Sequence, residues 1–527
     1  MKFLTSLLFS CFSVVVMSCS GSSDENSSTY DYVWQPDALA EEDGLADDDL
    51  LLDDADPASV DLTEHVEEAT EEPEIVYPSY PEGACDQPEL VECPTTSAAP
   101  AGASEETNFA VNNAVPLYCS GSSGPEWDFT VFLREFEGKR LFVMGEVHGT
   151  NEIAPASAEL LDWTVRYAGV NTIALEIGMD TTQAMNQYVQ TGDSSAAAAY
   201  GAGLYTENMF RRMLPDRAHE LVIEGYAIAA YGVDHPQRLA WVNEQLEGIA
   251  AGMTDLEAKK KLLENMPPPR EEASYGMFGI ETAYVNKAKA YNDHVVANLA
   301  TICVDFDEEE CKHVEMLAYA LWVGSVMASQ DFMMGGMGGG SAEMFEMMMK
   351  REVLLIYNFE QILKNPSAMV YSHMGAAHAA KDGWNVAGQL DKFFEPAMGQ
   401  IYTTTPAYGP GSAVFYGIST QNLPPEPKVV SDGLASMPHP NYFLSTNHAG
   451  LYCIENPFLD KPEMRLGGVY GSSWDAFFWF KKLTADNPGG WFYVSNVHIP
   501  TFSHSLAARL QLANQLLEEA HRRGYRP

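Results

Sequence analysis

Basic residues are scarce in this chain of 527 residues: 30 Lys and Arg stand against 74 Asp and Glu, for a formal net charge of -44. That balance excludes nucleic acid as a partner, because cationic side chains supply most of the affinity for a phosphate backbone. Beyond the N-terminus no apolar run is long enough for a transmembrane helix. Several catalytic signatures are missing too. There is no HExxH; His219-Glu220 comes nearest, but Ile223 stands where the second histidine belongs, which removes that kind of zinc peptidase. No GxSxG marks a serine nucleophile on a strand-to-helix turn. No GxGxxG opens a helix after a strand, and the glycine-rich stretch Met333 to Gly340 lacks the GK[ST] of a phosphate loop and reads as a mobile loop. No CxxC occurs, so redox and zinc-ribbon chemistry have no support.

What is present begins at the N-terminus. Met1-Lys2 carries one positive charge, and Phe3 to Met17 is apolar apart from a few Ser and Thr. Such a stretch is too short to span a bilayer and suits a signal peptide over 1–18. The run Val16-Met17-Ser18-Cys19 looks like a bacterial lipobox. That resemblance implies an acylated Cys19 and a mature chain anchored in the cell envelope, at the outer membrane, by buried acyl methylenes worth about 0.8 kcal/mol each. Export permits disulfides. Six cysteines then remain for pairing. Short loops favour Cys85 with Cys93 and Cys303 with Cys311, which leaves Cys119 with Cys453.

The charge is uneven. Between Ser20 and Ala110 lie 26 Asp or Glu and no Lys or Arg. A segment so self-repelling and poor in apolar residues is expected to be a disordered acidic tether, over 19–112. The remainder, 113–527, is ample for one α/β domain with insertions.

Within it, Leu141 to Met144 reads as a buried strand and Ala154 to Tyr167 as a helix stopped by Gly169. Thr172 to Leu175 is a second strand ending at Glu176, followed by a helix from Thr181 to Val189 closed by Gly192. Tyr226 to Val233 is a third strand, ending at Asp234-His235. Leu239 to about Asn358 reads as a helical insertion. Ala368 to Ser372 is a further strand leading to His378, and Ile401 to Thr405 and Ala413 to Gly417 are later ones. Val429 to Pro440 looks like a loop, and Leu506 to Arg523 like a terminal helix. Strands alternating with helices predict a mainly parallel sheet covered by helices in three layers.

Polar clusters sit at the strand ends: Glu146, His148 and Glu152; Glu176; Asp234 and His235; His373 and His378. A parallel sheet gathers its C-terminal strand ends on one edge, where ligands bind. Residues far apart in sequence are therefore expected to converge in one pocket.

The run Val-Met-Gly-Glu-Val-His-Gly-Thr-Asn-Glu from Val143 resembles the opening of the erythromycin esterase family. Ile173 to Glu176, Asn186 to Gly192, Tyr231 to Asp234, Arg351-Glu352 with Asn358, Pro462 to Gly467 and Trp474 to Phe477 resemble later parts of that family, in order. The likeness spans roughly Trp127 to Asn487. Only Val147 separates Glu146 from His148, where the esterases have two residues. That spacing, and Gly375-Ala-Ala-His378, are closer to ChaN-like haem-uptake lipoproteins of the same superfamily, which also holds Tiki-type metalloproteases.

The resemblance implies a hydrolase acting on a small-molecule or peptide substrate. His148 would be the general base, with an ordinary pKa of about 6.5 suited to neutral pH. Glu146 or Glu176 would set its tautomer, and His378 or His373 would donate to the oxyanion. Glu152, Asp234, His235, Arg351 and His373 would line the substrate site. The same His148, Glu146, Glu176 and His378 set is also compatible with a divalent metal and metal-bound water. The third alternative is haem binding without hydrolysis, through His148 or His378.

Overall fold

A computed structural model describes residues 102–117, 129–193, 196, 210–270, 280–329, 342–381, 385–415, 419–423, 425, 428–437, 441–445 and 474–483. The signal peptide, Cys19, nearly all of the tether, the Met333 to Gly340 loop and the expected C-terminal helix lie outside them.

The ten strands among the described residues are β1 (Val115–Pro116), β2 (Leu141–Glu146), β3 (Thr172–Gly178), β4 (Ala229–Asp234), β5 (Val370–Gly375), β6 (Ile401–Tyr408), β7 (Gly411–Phe415), β8 (Ser419–Leu423), β9 (Asn441–Ser445) and β10 (Ala476–Phe480). Eight form one sheet in the order β1-β9-β10-β6-β2-β5-β3-β4, and β7 and β8 pair separately. From β10 to β4 every neighbouring pair is parallel; β9 and β1 are joined antiparallel at the other end. The sheet is thus mostly parallel and accompanied by helices, an α/β fold.

The alternation of side chains along each strand sorts the core. Phe142, Met144, Ile173, Leu175, Ile177 and Tyr371 enter one cluster, which includes Leu160, Leu161 and Val165 of the helix Ile153–Ala168 and Leu214 and Leu221 of Phe210–Ile223. Leu141, Val143, Ala174, Val370 and Met374 enter another, with Leu355, Phe359 and Leu363 of the helix Ala342–Leu363 and Leu390 of Val386–Phe393. Gly169 ends the first helix in the left-handed region, at φ 72°, with its N–H donated to the Thr164 carbonyl.

The stretch expected as one helical insertion divides. Helices Leu239–Gly252, Leu256–Leu263, Thr282–Ile302 and Glu308–Met327 share a core of their own, whereas Ala342–Leu363 packs on the sheet. Its Leu355, Phe359 and Ile362 recur at helical spacing and carry Arg351 and Glu352 inward on the preceding turn. Cys303 and Cys311 form a disulfide; Cys85, Cys93, Cys119 and Cys453 lie outside the described residues.

Two expectations change. The tether was expected to reach residue 112, but Glu105–Asn113 is a helix capped by Ser104, with Ala110 and Val111 buried. The loop expected from Val429 to Pro440 begins as a helix, Lys428–Leu434, and Val111 packs over its Gly433. Small apolar contacts with a distant helix, invisible to local charge and loop signals, stabilise both segments.

Candidate active site

The C-terminal ends of β2, β5, β3 and β4 stand side by side and bring two polar arrays to one edge. The first runs through Glu146, the last residue of β2. Its Oε1 accepts from His148 Nδ1 at 2.6 Å and its Oε2 accepts from His373 Nε2 at 2.7 Å. Behind His373, Nδ1 lies 2.7 Å from Ser157 Oγ, which is 2.6 Å from the Tyr371 hydroxyl. Tyr371 and His373 are two apart on β5 and so share a face, the one that meets the helix carrying Ser157. Ser157, Tyr371 and His373 are fully buried, whereas the His148 side chain is 47% exposed. His148 Nε2 has no hydrogen-bond partner among the described residues.

The second array centres on Arg351. Its Nε and one terminal nitrogen hold both Asp234 oxygens, at 2.8 and 2.6 Å, and the same terminal nitrogen donates to Glu176 Oε1. Glu176 Oε2 accepts from the Gly375 backbone at 2.6 Å. His378 Nε2 lies 3.2 Å from an Arg351 terminal nitrogen and 3.3 Å from Glu176 Oε1, and its Nδ1 donates to Glu352, whose other oxygen accepts from Val386 N at 2.9 Å. Glu176 lies where the β3–β4 register shifts between Leu175 and Gly178. Such an irregularity re-aims a strand-end side chain.

The arrays meet over Gly375. A Cβ there would sit 3.1 Å from His148 Nε2 and 3.4 Å from Glu176 Oε2. The absence of that carbon is what lets both groups approach the end of β5.

The electrostatics follow from burial opposed by pairing. Burial would raise Glu146, but the neighbouring His373 and His148 outweigh it and lower its pKa to about 2. Partial burial works against a charged His148; the charge and hydrogen bond of Glu146, helped by Glu176, outweigh it and raise the pKa above its ordinary value. Despite burial, His378 and Arg351 hold Glu176 well below the usual carboxylate range. Arg351 and His235 do the same for Asp234. Burial would lower His378, yet Glu352 and Glu176 raise it to about 10.

Glu146, His148, Glu176, His378, Asp234, Arg351 and His373 are thus joined in space, and His235 touches them through Asp234, 2.8 Å from its Nδ1. Glu152 is not among them: it lines a separate depression with Ser412, Asn422 and Lys482, because the helix starting at Ile153 turns away. Ser157, Tyr371 and Glu352 were not singled out by their side-chain chemistry. The i, i+2 spacing of Tyr371 and His373 was the one signal available. His373 and His378, expected as alternative oxyanion donors, are buried with both ring nitrogens engaged, which removes them from that role.

A metal does not fit the donor set. His373 and His378 are committed at both nitrogens, and the Arg351 guanidinium occupies the space between Glu176 and Asp234. Among the described residues no group of three or more His, Cys, Asp or Glu side chains is arranged to hold a metal ion. His378, so engaged, offers no nitrogen to a haem iron either.

No protein-family model and no curated protein sequence matches the chain. Solved structures do. An erythromycin esterase mutant, EreC, in its open conformation is 12% identical at a TM-score of 0.51, covering 69% of this chain and 96% of that one. A succinoglycan biosynthesis protein is 15% identical at 0.49, covering 73% and 98%. ChaN of Campylobacter jejuni with cofacially bound haem is 14% identical at 0.24, covering 54% and 87%. The chain shares the fold of the erythromycin esterase.

Proposed function

We propose that this protein is a hydrolase in which His148 activates water for attack on an ester or amide of a small-molecule or peptide substrate. The half-exposed His148 imidazole carries the reading: its Nδ1–H is fixed by a buried, ionised Glu146, and its Nε2 is left free beside Glu176. Neutral His148 takes a proton from water through Nε2 as the water oxygen bonds to the carbonyl carbon. Glu146 stabilises the imidazolium, which then returns the proton to the departing alcohol or amine as the tetrahedral intermediate collapses. Glu176, kept ionised by Arg351 and His378, offers Oε2 to orient the water. Such general-base assistance is worth about 10²–10⁴-fold in rate.

Purified protein tested on a panel of esters, amides and peptides should hydrolyse a member of it, and His148→Ala should abolish that activity without lowering the melting temperature. A panel without turnover, together with a Soret band on haem titration, would replace this reading by haem binding through His148.

The anchoring part rests on the lipobox-like run before Cys19. No helix among the described residues is long and apolar enough to cross a membrane. Cys19→Ala should move the protein from the membrane to the soluble fraction; persistence at the membrane, or an N-terminal peptide without acyl mass, would leave a plain signal peptide.

A further inference from the structure

The row of buried polar groups behind Glu146 is expensive unless every member is paired. It runs without a break from the Tyr371 hydroxyl to Ser157 Oγ, to His373 Nδ1, through the ring to Nε2, and on to Glu146 Oε2. Its polarity is fixed at the Glu146 end. At one end Glu146, an ionised carboxylate, only accepts. His373 Nε2 must therefore carry the proton that it shares with Glu146. At the other end burial raises the Tyr371 phenol against the smaller effect of its Ser157 hydrogen bond, so that oxygen keeps its proton. The Tyr371 hydroxyl donates to the Ser157 carbonyl at 2.9 Å, and Ser157 Oγ at 2.6 Å is also within reach of that proton. Shared between the carbonyl and Oγ, that proton would leave the Ser157 hydroxyl to donate to His373 Nδ1.

We propose that Ser157 and Tyr371 are positioning residues that hold His373 as its Nε2–H tautomer, so that Glu146 is left as a fixed anion for His148 alone. This rests on the reading of His148 as the base. A His373 protonated at both nitrogens would compete with His148 for the charge of Glu146. A hydroxyl proton aimed at Nδ1 prevents this by filling the place that the second ring proton would need. Among the described residues, the groups bearing on His148 are Glu146 from β2, Glu176 from β3 and Arg351 from the helix Ala342–Leu363, and those bearing on His373 include Glu146, Ser157 and Tyr371. Glu146 is common to both, and only through it does the buried row reach the exposed imidazole. Ser157 stands 216 residues from His373 in the chain.

The test is a nitrogen-15 NMR titration of the histidines in the whole protein, without substrate. Wild-type His373 should be protonated at Nε2 and bare at Nδ1. In Ser157→Ala, Nδ1 should take up a proton, and the His148 midpoint should fall by about one unit, a tenfold change in its imidazolium fraction. Tyr371→Phe, which keeps the Ser157 hydroxyl but frees its direction, should shift both in the same sense and by less; it serves if Ser157→Ala does not fold. In folded, active variants the acid limb of kcat/KM should move down with the His148 midpoint while KM stays unchanged. A wild-type proton on His373 Nδ1, or folded variants with both titrations unchanged, would overturn the proposal. Shifted titrations in a protein that hydrolyses nothing would leave the positioning role standing and remove the hydrolase reading instead.

Discussion

At the scale of single residues, His148 and Arg351 separate chemistry from stability. Activity requires neutral His148, whose pKa is raised by Glu146, so kcat/KM should climb with pH through a value above 6.5. Glu146→Gln removes that anion. The acid limb should then move to lower pH while the plateau drops about 10²-fold, the scale of general-base assistance; a pH–rate profile with an unmoved limb would contradict the role given to Glu146. Arg351 answers for two buried carboxylates. Arg351→Met takes from Glu176 and Asp234 the cation they share, leaving Glu176 to Gly375 and His378 and Asp234 to His235, and stability to denaturant should fall by about 3–5 kcal/mol. Arg351→Lys should recover only part, since an ammonium lacks the planar fork that meets Asp234 at two points. A loss below about 1 kcal/mol in Arg351→Met, the size of an exposed pair, would mean that the array is not a buried unit. Glu146, His148, Glu176 and Asp234 were legible in the sequence because each closes an apolar run. Glu352 entered only through the resemblance, beside Arg351, and Ser157 not at all, because what gives them meaning is contact with β5 or the turn after it, far along the chain.

At the scale of elements, strand periodicity determines which array each side chain joins. Glu146 follows Phe142 and Met144 in alternation and reaches His373, on the side of the helix Ile153–Ala168; Glu176 follows Ala174 and meets Arg351 from Ala342–Leu363. The strands were legible as apolar runs, though the run from Leu141 extends through Gly145 to Glu146, since glycine hides a strand end from propensity. In the β2–β5 register Gly145 pairs with Met374 and Glu146 with Gly375, so the two glycines stand one place apart. A Cβ on Gly145 would meet the Thr404 carbonyl at 2.8 Å and Ala376 Cα at 2.9 Å, both backbone. Gly145→Ala should therefore destabilise the fold, by about 1–3 kcal/mol as overpacking does. On Gly375 the Cβ meets a half-exposed ring that can swing away. Gly375→Ala should lower kcat/KM about tenfold or more through displacement of the base, with a denaturation midpoint nearly unmoved. Equal stability losses in the two variants would deny that Gly375 serves the site. The break in the long helical stretch was not legible: Arg351 and Leu355 look like any amphipathic turn until the sheet beneath them is known.

At the scale of the whole molecule, the chain's acidity concentrates before the folded part, but the fold begins earlier than charge alone suggests. Removing residues 1–101 should leave a cooperative melt, whereas removal through Asn113 strips the buried Val111 from over Gly433 and should lower stability by about 1.5–3 kcal/mol, the worth of one such side chain. The pH dependence of that stability is set by the same groups that make the site. Glu146 is depressed from 4.5 to about 2, so its contribution is present above pH 4.5 and is lost as pH falls toward 2. Glu176 and Asp234 act in the same direction. His378 is raised from 6.5 to about 10, so its contribution is complete below pH 6.5 and is lost as pH rises through 10. Together they predict a plateau of stability between about pH 4.5 and 6.5, with the alkaline decline starting while most surface groups are unchanged. His378→Gln should be less stable at every pH below 6.5 and should show only the decline that His148, also raised, contributes above that pH, because the glutamine carries no proton to release. Glu146→Gln should flatten part of the acid limb and leave the His378 part of the alkaline limb intact. Melting curves of the three proteins across the pH range decide it: an alkaline decline undiminished in His378→Gln would place the responsible proton elsewhere, and with it the charge that keeps Glu176 ionised beside His148.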